Sequence, residues 1–155
     1  MLAAPSLQSE VVLPIYEVTG IHMAAAKILV VDDNKVVRSV LEMQLVTHGY
    51  EVTTAATGPE AVAAAAANEP DLLILDLTLD ADPLESMRNG FTLLAWLRRT
   101  LVGSALPVIV HTGDKSPRID AEAEQHGVYA VFRKGESTFK LLELIRHALI
   151  DRKAA

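Results

Sequence analysis

Asp32 and Asp33 follow the apolar run Ile28–Val31, and Asp76 follows a second apolar run, Leu72–Leu75. Thr112 follows Pro107–His111, with Gly113 and Asp114 behind it, and Lys134 follows Ala130–Arg133. Three carboxylates brought to one place repel one another unless a cation neutralises them. An all-oxygen donor set of this kind suits Mg²⁺, with Mn²⁺ as a second fit. A cation held there can bind phosphoryl oxygens and screen the charge that develops during transfer. A carboxylate can itself be the nucleophile and form an acyl phosphate. The Lys134 ammonium supplies a point positive charge for one phosphoryl oxygen, and the Thr112 hydroxyl a hydrogen bond for another. Each signal has an ordinary reading alone: Asp32-Asp33 as a polar turn, Asp76 as a helix cap, Thr112-Gly113-Asp114 as turn chemistry. Their coincidence at four segment ends makes the constellation informative.

Residue types also dictate the elements that must hold these groups. Lys27–Val31, with four apolar residues after the lysine, and Leu72–Leu75 show the pattern of strands buried on both faces. Between them, Val37, Val40, Leu41 and Leu45 recur at helical spacing over 35–47, with Gly49 as the stop. A short strand spans Glu51–Ala55. Thr57 caps the Ala-rich helix that follows, with Pro59 and Glu60 in its first turn and its end near Asn68. After Asp76 the pattern predicts a loop, a helix over 90–101 with Leu94, Leu97 and Leu101 on one side, a strand over 107–111 and a helix over 117–125 poor in large apolar groups. The final strand is Ala130–Arg133. The last helix, from Thr138 to Ile150, buries Leu141, Leu142, Ile145, Ala148 and Leu149. Trp96 reads as a residue packed against the sheet or a neighbouring helix, and His111 as a core or rim residue.

Five alternating strand–helix units imply an α/β, doubly wound parallel sheet with helices on both faces, a three-layer sandwich. The right-handed crossover rule leaves few topologies; of these the flavodoxin-like strand order 2-1-3-4-5 is the expectation, with the site at the carboxyl ends of the strands, by the switch point. The 155 residues suit one domain, 27–152, behind an N-terminal extension, 1–26. A formal net charge of −6 does not favour nucleic acid as a partner. The absence of cysteine excludes disulfides, thiolate zinc sites and cysteine catalysis. No segment is long and apolar enough to cross a bilayer, and 1–26 lacks the basic start of a secretory signal, so the expected location is the cytoplasm. His22, His48, His126 and His147 share no ligand spacing.

Val-Val-Asp-Asp at 30–33, Leu-Ile-Leu-Asp-Leu at 73–77, Pro-Val-Ile-Val-His-Thr-Gly at 107–113 and Lys134 together resemble the receiver domain of two-component signalling, over about Lys27 to Ile150. The resemblance implies the flavodoxin-like (βα)5 fold and a chemotaxis-regulator-like, single-domain switch. It implies that Asp76 is the phosphoacceptor and that Asp33 and Asp76 bind Mg²⁺ directly. Asp32 acts through metal-bound water, and Thr78 lends its backbone carbonyl. Thr112 and Lys134 contact the phosphoryl group, while Thr78 and Asp114 tune its lifetime. The partners implied are a sensor histidine kinase or histidine phosphotransfer protein and a downstream protein target, with no membrane partner; the sequence leaves monomer and homodimer both open. The chain is then a self-modifying signalling protein, not an enzyme acting on external substrates. With no output domain expected after Ile150, output is expected through a partner, a phosphorelay or competition for phosphoryl groups, and the resemblance implies the face of the fourth helix, fifth strand and fifth helix as the contact surface.

Three features differ from the family pattern. The loop Leu79–Asn89 is long and carries Asp80, Asp82 and Glu85, whose charge beside the site is placed to bias metal binding or kinase choice; the preferred reading is a solvated surface loop. Gly135 stands where a cis proline is usual, so a trans bond and a less firmly placed Lys134 are expected. Val131 holds a position that is usually aromatic, and alternation puts Phe132 on the opposite sheet face. Val131 and Gly135 support an alternative, a receiver-shaped scaffold that binds partners without phosphorylation, whereas the intact Asp32, Asp33, Asp76, Thr112 and Lys134 oppose it. A third reading, a haloacid-dehalogenase-like phosphatase, needs a second acid two residues after the nucleophile, where this chain has Thr78. The apolar stretch Glu10–Val18 reads as a loose tail or as an arm that packs on this domain or on a neighbouring subunit, with Pro14 confining it to an edge.

Overall fold

The computed structural model describes residues 25–80, 82, 84–101 and 105–154. The expected N-terminal extension and its arm therefore lie outside the described residues, apart from 25 and 26. Strands β1 (Lys27–Val31), β2 (Glu51–Ala55), β3 (Leu72–Asp76), β4 (Val108–Thr112) and β5 (Ala130–Arg133) alternate with helices α1 (Lys35–Thr47), α2 (Gly58–Asn68), α3 (Gly90–Thr100), α4 (Pro117–Gln125) and α5 (Thr138–Ala154). The strands form one parallel sheet in the order β2-β1-β3-β4-β5. This is the doubly wound, flavodoxin-like arrangement that the strand–helix alternation predicts.

Alternation along the strands divides the core in two. Leu29, Val31, Leu73, Leu75 and Val108 meet α2 and α3 through Ala61, Ala65, Leu93, Leu94 and Leu97. Ile28, Val30, Leu72, Ile74, Ile109 and Phe132 meet α1 and α5 through Leu41, Leu45, Leu141 and Ile145. Phe132 and Val131 thus face opposite ways, Val131 packing towards Val110 and Ile119. β3 and β4 are buried at every position. At about 1.5–3 kcal/mol for each large apolar side chain removed from water, these two strands anchor the domain.

Local chemistry sets the helix ends. Asn34 accepts from Val36 N–H and Val37 N–H at the start of α1. Thr57 accepts from Glu60 N–H at the start of α2. Gly90 begins α3 against the backbone of β3's end. A Cβ there would lie 2.5 Å from the Asp76 carbonyl oxygen and 2.7 Å from Leu77 Cα, so only glycine lets α3 start this close.

Some expectations need correction. β4 runs one residue later than predicted and includes Thr112. α5 continues past Ile150 to Ala154, where Arg152 pairs with Asp71 at 3.1 Å. Trp96 is 48% exposed rather than packed, because the buried side of α3 is filled by Phe91, Leu93, Leu94 and Leu97. Val40 likewise faces outward. The 79–89 segment is not a solvated loop throughout. Leu79 and Asp82 are fully buried, Met87 joins the α2–α3 core, and a 3-10 turn forms over Glu85–Met87.

Candidate phosphoacceptor and metal site

The switch from β1 to β3 leaves a cleft at the carboxyl end of the sheet, and the polar strand-end residues converge on it. β1 stops where Asp32 N–H donates to the Ala55 carbonyl at 3.1 Å. The chain then turns sharply, with Asn34 N–H donating to Asp32 Oδ1 at 2.8 Å and Arg38 Nη1 to the Asp32 carbonyl at 2.7 Å. Asp32 is 1% exposed, Asp76 4% exposed and Asp33 half-buried. Each of the three has a carboxylate oxygen within 4.8 Å of the others'.

Lys134 enters from the far side. Its N–H donates to the Thr112 carbonyl at 2.7 Å, which ties β5's end to β4's. Its Nζ lies 3.2 Å from Asp76 Oδ2 and 3.3 Å from Asp32 Oδ2. The described peptide bonds include no cis bond, and Gly135 takes φ +98°, the left-handed region that glycine tolerates. Glycine in the proline position therefore still delivers the ammonium to the carboxylates. Thr112 is buried, and its Oγ1 accepts from Asp114 N–H at 3.1 Å. The cleft has a volume of ≈ 370 Å³, with Asp33, Asp76, Thr78, Thr112 and Lys134 on its walls. Asn34 and Asp80 complete its rim. Asn34 escaped attention in the sequence, although an Asx residue just before a helix is a recognisable cap signal.

The electrostatics follow from crowding. Asp76 is pushed up to about 6, first by burial and then by the Asp32 charge; Thr78 N–H, at 3.1 Å from Oδ1, and Lys134 act against this. The buried Asp32 Oδ2 has no hydrogen-bond donor among the described residues, only the ion-pair contact with Lys134. An under-satisfied buried carboxylate oxygen beside two further carboxylates, all hard oxygen donors, fits a divalent cation such as Mg²⁺. His111 lies in β4 beside Asp76 and stacks on Phe132 with ring centroids 5.3 Å apart. Burial first, then the Lys134 charge, lower it to about 4, so it is a neutral core histidine.

The comparisons with known proteins agree with this geometry. The family model for the response regulator receiver domain matches residues 28–146. The transcriptional regulatory protein KdpE of Mycobacterium tuberculosis is 35% identical over 101 residues, covering 64% of this chain and 42% of KdpE. The response regulator PleD of Caulobacter vibrioides is 36% identical over 88 residues, 57% of this chain and 18% of PleD. The chain thus spans less than half the length of these relatives. Among solved structures, the Vibrio cholerae chemotaxis protein CheY4 superposes with a TM-score of 0.70 at 29% identity, covering 81% of this chain and 99% of that one. A strand order, a carboxyl-end acidic cleft and a family match that covers both lead to one conclusion: the chain belongs to the response regulator receiver domain family.

Proposed function

We propose that this receiver accepts a phosphoryl group from a phospho-histidine on Asp76, in a reaction that needs Mg²⁺, and signals by binding partners. The observation that carries the reading is the meeting of Asp32, Asp33, Asp76 and Lys134 in one cleft. Asp32, Asp33, Asp76 and the Thr78 carbonyl would hold the cation, which when bound supplies charge neutralisation for the phosphoryl oxygens. The ionised Asp76 carboxylate attacks phosphorus. The P–N bond breaks, and the departing imidazole nitrogen keeps the electron pair. Lys134 exchanges part of its pairing with Asp32 and Asp76 for a phosphoryl oxygen, and the Thr112 hydroxyl donates to another. Asp114 and Thr78, at the cleft walls, set access for the water that later hydrolyses the acyl phosphate. The chain modifies itself and turns over no external substrate. The cytoplasm is the proposed compartment. Among the described residues no helix is long and apolar enough to cross a membrane.

The phosphodonor, a sensor histidine kinase or histidine phosphotransfer protein, docks on α1 in this reading. Val36, Val40 and Met43 are 70%, 41% and 64% exposed. At about 100° per residue they share one face of the helix that begins at the cleft. Met43→Lys should lower the ratio of labelling by a phospho-histidine protein to labelling by acetyl phosphate about tenfold. An unchanged ratio would move the donor surface elsewhere.

Incubation with acetyl phosphate, with and without Mg²⁺, tests the central step on a phosphate-affinity gel. The shifted band should need both Mg²⁺ and Asp76 and vanish in Asp76→Asn. A second reading, a scaffold that binds partners without phosphorylation, is favoured by Val131, whose small half-buried side chain packs towards Val110 where an aromatic group is usual. No band from the wild-type chain, and no structural response to beryllofluoride, would establish that reading instead.

A further inference from the structure

We infer that Asp82 is a positioning residue of the phosphoacceptor site, latching the 79–89 segment onto the first turn of α2 and so fixing Thr78 and Asp80 at the cleft. The inference rests on the metal-dependent reading above. Asp82 has no exposed surface, yet lies in a segment whose composition reads as solvated. Its Oδ2 accepts from Gly58 N–H, and its Oδ1 from Leu84 N–H at 2.9 Å. Gly58 N–H is one of the helix-start donors without an intrahelical partner. Thr57 serves Glu60 N–H, so the Gly58 donor is left for Asp82. A buried carboxylate is costly unless hydrogen-bonded, and a helix N-terminus suits its charge.

Packing reinforces the latch. A Cβ at position 58 would fall 2.7 Å from Met87 Cβ, so glycine is what lets the segment seat on α2. From Asp82 a short chain of bonds leads back to the cleft. Arg88 Nε donates to the Asp82 carbonyl at 3.0 Å, and Leu79 N–H donates to the Arg88 carbonyl at 2.9 Å. Thr78 bridges Asn89, and Gly90 N–H donates to the Leu77 carbonyl at 2.9 Å. The closed neck is therefore the stretch that holds Thr78 on the cleft wall. Thr78 N–H holds Asp76 from the same point. Asp80, on the cleft rim, lies inside the same closure. Releasing Asp82 frees the neck, and with it one oxygen ligand and the Asp76 carboxylate orientation.

Hydrogen exchange and Mg²⁺ calorimetry on the full chain test this, with Asp82→Ala, Asp82→Asn and Glu85→Gln. Asp82→Asn keeps the side chain's shape and serves if the alanine variant fails to fold. Glu85→Gln removes one negative charge from the same segment without touching the latch. In the metal-free Asp82 variants, exchange at Gly58, Leu79 and Gly90 amides should quicken tenfold or more. Their Mg²⁺ dissociation constants should rise about tenfold, as for lost outer-shell support of a metal ligand. Glu85→Gln should change neither. Unaltered exchange in both Asp82 variants overturns the latch. Faster exchange with wild-type Mg²⁺ affinity overturns the positioning role. A wild-type chain that binds no Mg²⁺ overturns the metal-dependent reading and this role together, while the exchange data still report separately whether the segment is latched.

Discussion

Asp76→Asn should make the divalent-free protein more stable, by about 2 kcal/mol near neutral pH, although it deletes the residue on which the proposed function depends. The folded chain holds Asp76 at about 6 against an ordinary value of 3.8, because burial and Asp32 disfavour its charge. A carboxyl raised in the folded state contributes its full stability below the unfolded value and loses it as pH rises through the folded one. Above pH 6 the wild-type protein therefore carries a penalty that Asn lacks. Part of the gain is offset, since Asn still needs partners in a buried site and loses the Lys134 ion pair. The gap between urea-unfolding curves of wild type and Asp76→Asn, in EDTA, should be widest above about pH 7. It should close as pH falls from 6 to 3.8. Mg²⁺ should narrow the gap from the other direction, by neutralising the wild-type site. A variant no more stable than wild type at neutral pH would mean that Lys134 already offsets the carboxylate crowding.

The same experiment exposes His111. Its folded value of about 4 lies below the ordinary 6.5, so its contribution is present above 6.5 and is lost as pH falls towards 4. Asp76 and His111 thus titrate over nearly the same range with opposite signs. The wild-type stability curve should be flat there, and Asp76→Asn should uncover a steep acid limb.

Fold and site differ in how legible they are in the sequence. The strands could be read because β3 and β4 are buried on both faces, and that leaves apolar runs ending at Asp76 and at His111-Thr112. Once the order of elements fixes a parallel sheet, the carboxyl ends of its strands meet, and Asp32, Asp33, Asp76, Thr112 and Lys134 are brought together without any detail of side-chain packing. What resisted reading depends on contacts distant in sequence. The burial of Asp82 is set by Gly58, 24 residues away, through a hydrogen bond that composition does not signal. Whether Trp96 or Val40 faces the core depends on which side of the helix the sheet occupies once its larger neighbours have been placed. Periodicity alone places both residues near a boundary. Departure from a family pattern was likewise a poor guide to geometry: Gly135 replaces the usual proline, and Lys134 still reaches both carboxylates.

Lys134→Met should destabilise the divalent-free protein and depress labelling even with Mg²⁺ present. Lys134 is the cation that stands between two almost fully buried carboxylates; burial loosens its proton, but Asp76 and Asp32 together outweigh that and raise its pKa above the ordinary value. Removing one member of a buried charge cluster leaves the others uncompensated, which typically costs 3–5 kcal/mol. The ammonium is 33% exposed on its side chain, so solvent screening brings the expected loss to about 2 kcal/mol at neutral pH without divalent cation. Asp76 should move further above about 6, because the attraction that opposes burial and Asp32 is gone. The sign is again that of a raised carboxyl, so stability should return as pH falls through the new value. Mg²⁺ should restore it at neutral pH, since a dication can replace the missing charge. Acetyl phosphate labelling should nevertheless fall tenfold or more at saturating Mg²⁺, because no protein cation remains to pair with the phosphoryl oxygen. Stability rescued by Mg²⁺ without recovery of labelling would separate the two roles of Lys134. Recovery of both would reduce it to a counter-charge that any cation can supply.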